Sequence, residues 1–95
     1  MKKTKEQSLK ELRKIPGVGV SIANDLWNIG IKSSADLKGR GPQVLYDKSN
    51  TRAGVQQDRC LLYVFRCAVY YASHSAHEKE LLKWWNWKDG RAKKH

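Results

Sequence analysis

The chain has 95 residues, with 19 Lys and Arg against 9 Asp and Glu, for a formal charge of +10. That length holds one core and is short for most enzyme folds with buried cofactors, while an apolar share of 40% is too high for wholesale disorder. No apolar run approaches the ~18 residues of a membrane span, and the lysines of Met1 to Leu12 have no apolar stretch behind them, so no secretory signal is expected.

In chain order, every periodic signal is helical. Ser8 is read as the cap of a first helix, with Glu11 completing a capping box and Leu9, Leu12 and Ile15 recurring at spacings of three. Pro16 ends that helix, because it disfavours helical backbone at the residue before it. Gly17-Val18-Gly19 is a turn with Val18 packing inward. A second helix runs from about Val20 to Ile29, and Gly30 stops it. Ser33 or Ser34 caps a short third helix through Leu37. Gly39-Arg40-Gly41 is a second turn, and Pro42 suits the first position of a fourth helix carrying Val44, Leu45 and Tyr46. Thr51 to Gly54 is read as a link. The longest and most apolar helix, about Val55 to Ser73, is expected to be central. A last short helix holds Leu81, Leu82 and Trp84, before a basic tail.

Cys60 and Cys67 are seven residues apart on the predicted central helix. That places them ~10 Å apart, beyond the ~7 Å Cα separation of a disulfide. They are read as reduced core residues of a cytoplasmic protein. The same geometry argues against a zinc site made from Cys60, Cys67, His74 and His77, since zinc ligands converge within ~2.0–2.3 Å of one ion. No metal, cofactor or catalytic residue is assigned.

The stretch from Leu12 to Ala23 is the most specific in the chain. Two glycines permit a sharp turn. The second helix then opens with unpaired N–H groups and a positive dipole end, a ready site for an anion such as phosphate. These residues resemble the helix-hairpin-helix motif, in which Gly-apolar-Gly is followed by a small residue four positions after the second glycine. Gly17, Val18, Gly19 and Ala23 occupy those positions, and Gly30 matches the closing glycine. The resemblance implies binding of DNA backbone phosphates, with Pro16, Gly17, Val18, Gly19, Val20 and Ser21 as contacts. Ser21 stands where many DNA-binding members have Lys or Arg, so Arg13, Lys14 or Lys10 must supply the charge. The alternative is a hairpin that is structural or contacts another protein.

Leu37 to Gly41 repeats the pattern of Ile15 to Gly19 at a distance of 22 residues. It is either a degenerate second hairpin, with Arg40 facing the polyanion, or a plain turn. Across residues 12–88 the chain resembles the small bacterial helix-hairpin-helix proteins of the "pathogenicity locus" family, some of which carry a mitomycin-resistance label. Its first half is also similar to the C-terminal domain of TfoX-type competence regulators.

The expected fold is all-α, with five or six short helices in a SAM-like helix-hairpin-helix arrangement around the helix at about 55–73. Residues 1–95 form a single domain in this reading, with basic flexible ends at about 1–7 and 90–95. The expected function is non-sequence-specific DNA binding through Arg13, Lys14, the residues 16–21 and Arg40, without catalysis, a small-molecule substrate or a membrane. The alternative partner is a protein docked on the hairpin and the tryptophan-rich end. Of Trp84, Trp85 and Trp87, the last is expected to be the most exposed.

Overall fold

The computed structural model describes residues 4–88, and every regular element among them is helical. Thr4, not Ser8, caps helix α1 (Lys5–Leu12). Its hydroxyl accepts from the Gln7 N–H at 3.2 Å, and the Gln7 side chain accepts from the Thr4 N–H at 3.0 Å. This is a capping box one helical turn earlier than expected. Residues 4–7, within the end expected to be flexible, are the cap and first turn of this helix; the rest of that expectation, at 1–3 and 90–95, lies outside the described residues. Ser8 is inside the helix, 1% exposed, and its hydroxyl has no partner among the described residues. Glu11 accepts instead from the N–H and hydroxyl of Ser34, at 2.8 and 2.9 Å.

Helix α1 ends at Leu12, earlier than Pro16 requires. Lys14 and Ile15 continue as a tightened turn, donating to the Glu11 and Leu12 carbonyls at 3.1 Å each. Helix α2 (Val20–Asn28) closes as expected at Gly30, whose φ is +96°. Gly30 N–H reaches the Trp27 carbonyl at 3.1 Å and Ile31 N–H the Leu26 carbonyl at 2.9 Å. That pair of bonds is a Schellman motif, and the accompanying apolar contact joins buried Leu26 and Ile31.

The expected third helix is a single 3-10 turn, Ser34–Leu37. Pro42 does open helix α3 (Pro42–Ala53), but the expected link at 51–54 is that helix's last turn. Gly54, at φ +75°, caps it by donating to the Asn50 and Thr51 carbonyls. The true link is 55–58. Its Gln57 is held by Asn50 Oδ1 and Ser49 Oγ, and the buried Tyr46 hydroxyl donates to the Gln57 carbonyl. The central helix, α4, is accordingly Arg59–Ser73, shorter than 55–73, with Asp58 capping the Cys60 N–H at 2.8 Å. Two 3-10 turns, Lys79–Leu82 and Trp84–Trp87, replace the last helix.

The result is a compact all-α globule of four α-helices and 3-10 turns, with no strand among the described residues. One apolar cluster holds it together. Leu61, Leu62, Val64, Phe65 and Ala68 of α4 meet Leu12, Ile15, Val18, Ala23, Leu26, Leu37, Leu45 and Tyr46 from the surrounding elements. Cys67 is buried, its Sγ 3.5 Å from the Leu81 carbonyl oxygen, and burial pushes its thiol up to about 11. Cys60, in the first turn of α4, is on the surface and not in the core. No described helix is long and apolar enough to cross a membrane.

Candidate functional site

Both Gly-x-Gly segments begin with the same kind of four-residue turn. Val18 N–H donates to the Ile15 carbonyl at 3.0 Å, and Arg40 N–H donates to the Leu37 carbonyl at 3.0 Å. In each four-residue turn the third residue is a glycine at positive φ: Gly17 at +85° and Gly39 at +74°. Lys38, at φ −59° and ψ 122°, completes a type II geometry in the second turn. Pro16 holds the same place in the first, where its ring fixes φ as that geometry needs. The next glycine caps a helix in both cases. Gly19 accepts from Ala23 N–H at 2.9 Å and Gly41 from Leu45 N–H at 3.2 Å. Neither has a side chain to bond the first N–H groups of its helix.

Around the first turn, Val18 is buried, 5% exposed, and anchors the tip to the core. A Cβ on Gly17 would lie 3.1 Å from Cδ1 of Trp84, so this glycine is needed both for its φ and for the indole beside it. Gly19 has nothing within 4 Å of where its Cβ would be, and its φ of −95° suits any residue. The approach to the start of α2 is therefore open. Val20 and Ser21, the first two residues of α2, are exposed, Val20 by 59%. Pro16 is half-buried. Arg13 and Lys14 are exposed just upstream. Arg13 and Lys10 share with Val20 a cleft of about 350 Å³, which Glu6 also lines. The structure thus gathers Arg13, Lys14 and residues 16–21 at one end of the α1–α2 pair.

Arg40 belongs to the other turn. It is exposed, and its Nε donates to the Asp36 carbonyl at 2.9 Å. Gly39 N–H donates to Ser73 Oγ at 3.1 Å, which seats this turn on the C-terminal end of α4. Beside it is a cavity of about 560 Å³, walled by Pro42, Ser73, His74, Tyr70 and Trp87 among others. Helix α3 offers an anion less than α2 does. Its first residue, Pro42, has no N–H, and the Val44 side chain lies 3.5 Å from a Cβ on Gly41.

The tryptophans are arranged differently from the expectation. Trp87 is half-buried: its Nε1–H donates to the Leu81 carbonyl at 2.8 Å and its ring lies 5.5 Å from that of Tyr70. Trp85 is the exposed one, at 47%. In a 3-10 turn residues three apart eclipse, so Trp84 and Trp87 share a face and Trp85 points elsewhere. Sequence reasoning applied α-helical spacing here and so chose the wrong ring. It also gave no sign that Trp84 would pack on Gly17, a contact spanning 67 residues of chain. His77, one of the residues weighed for zinc, is occupied: its Nε2 lies 2.7 Å from the Tyr71 carbonyl oxygen and its ring stacks on that of Tyr71. Among the described residues, no three His, Cys, Asp or Glu side chains converge as metal ligands.

These features define a small, basic, all-α protein whose two glycine turns each start a helix. The chain matches the model of the Cdd1 family, described as Pathogenicity locus, over residues 5–93, and it belongs to that family. No curated protein and no solved structure matches it.

Proposed function

We propose that the α1–α2 pair is a helix-hairpin-helix unit in a SAM-like fold, and that it binds DNA through backbone phosphates without catalysis. The observation that carries this reading is the open, uncapped start of α2 at Gly19, reached past Arg13 and Lys14. The unpaired N–H groups and dipole of a helix start favour an anion. A turn anchored by Val18 holds those groups in place, so little ordering is needed on binding. The Ser21 hydroxyl, exposed on the first turn of α2, adds a donor. Arg40 adds an exposed charge on the second glycine turn. Phosphate contacts carry no base information, so affinity varies little with sequence.

The test is a salt-series titration with mixed-sequence duplexes. Neutralising three to five phosphates makes log K fall against log salt with a slope of roughly −3 to −4.5. Absence of binding at low salt overturns the proposal and leaves a protein-contact role for the hairpin. Within the site, Ser21→Ala is expected to lower affinity by ~1 kcal/mol or less, the worth of one ordinary hydrogen bond, with no change in melting temperature.

A further inference from the structure

Trp85 is linked to the first glycine turn through Trp84. Gly17 packs on Trp84. The Trp84 and Trp85 rings meet edge to face, 5.7 Å apart with an 84° angle between planes. The 3-10 turn that carries them is pinned on several sides. Arg66 donates to the Trp87 carbonyl at 2.7 Å, Trp87 Nε1–H to the Leu81 carbonyl at 2.8 Å, and Asn86 Nδ2–H to the Glu80 carbonyl at 2.7 Å. Trp85 is thus a large ring, 47% exposed, presented by a braced backbone and joined to the first glycine turn through Trp84. Tryptophans are mostly buried in folded chains, and neither the core nor the turn's hydrogen bonds require this one to be aromatic.

We infer that Trp85 stacks on an unpaired base of the strand whose phosphate the hairpin holds, so that the preferred substrate is DNA with unstacked bases. This rests on the phosphate-binding reading and names its substrate class. Stacking on an indole tolerates every base, which agrees with a site that reads no sequence. In an intact duplex the base faces are covered by their neighbours, so the ring finds a partner only in single strands, frayed ends or unpaired junctions. The charge of +10 favours a polyanion over a neutral apolar partner at this ring.

The experiment compares Trp85→Leu with Trp85→Phe, which differ in the aromatic face and not in apolar character. Each is titrated, with the unchanged protein, against an oligothymidine single strand and a dumbbell duplex closed at both ends, at one salt concentration. The unchanged protein and Trp85→Phe are expected to bind the single strand more tightly than the dumbbell. Trp85→Leu is expected to lose about tenfold in single-strand affinity, within the range of one stacked base, and to bind the dumbbell as before. Thermal melts check that the two variants are equally folded; should both be destabilised, the comparison is made between them at equal folded fraction. Equal affinity of Trp85→Leu and Trp85→Phe for the single strand overturns the inference and leaves phosphate binding intact. So does an equal loss on both DNAs, which would reflect general damage to the surface. If the unchanged protein binds neither DNA at low salt, the phosphate-binding reading fails and takes the inference with it.

Discussion

The two glycine turns share a turn geometry and differ in what surrounds it. Each is a four-residue turn with a left-handed glycine third, followed by a glycine that caps a helix. In the first, the tip residue Val18 is buried, Gly17 is pressed against Trp84, and the approach to Gly19 is clear. In the second, the tip residue Arg40 is exposed and bonded to Asp36 of the preceding 3-10 turn, Gly39 is unobstructed, and Val44 and Pro42 stand at the helix start. Gly-x-Gly therefore specifies a path for the chain, and the flanking residues decide whether that path becomes a rigid cradle. An apolar tip ties the first turn to the core, and an N–H at the first helical position keeps its full set of donors. The second turn lacks both.

The largest expected loss is at the left-handed glycines of the turns. Gly17→Ala must force a side chain into positive φ and displace the Trp84 indole, and is expected to cost ~3 kcal/mol, combining left-handed strain with local overpacking. Gly39→Ala meets the strain alone, at ~1–2 kcal/mol. Chemical denaturation of both variants measures the contrast, and equal losses would mean that the Trp84 contact contributes nothing. The tip residues come next. Val18→Ala is expected to cost ~2 kcal/mol as the loss of buried methyl groups. Arg40→Ala should stay within ~0.5 kcal/mol, as for an ordinary surface change. At about 4–8 °C per kcal/mol for a domain of this size, thermal melts resolve the two, and an Arg40→Ala effect as large as that of Val18→Ala would erase the distinction between anchored and free tips. Smallest is a change at the caps of α1. Thr4→Ala should lose ~1 kcal/mol, whereas Ser8→Ala, which removes a buried hydroxyl without a partner, should be neutral or slightly stabilising.

Much of the first turn was readable in the residues. Pro16, Gly17, Val18 and Gly19 take the conformations and burial that their types suggest, as do Gly30 and Pro42, because each answers to a local backbone requirement. What failed was decided by tertiary partners. Thr4-Gln7 and Ser8-Glu11 are both capping-box pairs, and the choice between them turned on Ser34, which draws Glu11 away. The polar end of α3 reads as a link, yet Asn50 and Ser49 hold Gln57 and make that turn helical. The exposed tryptophan depended on whether the last element was an α-helix or a 3-10 turn, a distinction four residues do not encode. The approach of Trp84 to Gly17 lies outside any local pattern, so the sequence separated two features that the fold places together.

In the proposed binding mode the uncapped start of α2, more than charge in general, holds the phosphate. Gly19→Asp tests it most directly, with Gly41→Asp as its partner, because both change the net charge equally and both add a carboxylate where a helix lacks a cap. Each is expected to raise stability by about 0.5 kcal/mol through capping and the helix dipole. Only Gly19→Asp places its carboxylate where the phosphate would sit. At fixed salt this variant is expected to bind DNA at least tenfold more weakly, ~1.4 kcal/mol, while Gly41→Asp loses no more than two- to threefold. Equal losses from the two variants, or full affinity in Gly19→Asp, would contradict this binding mode.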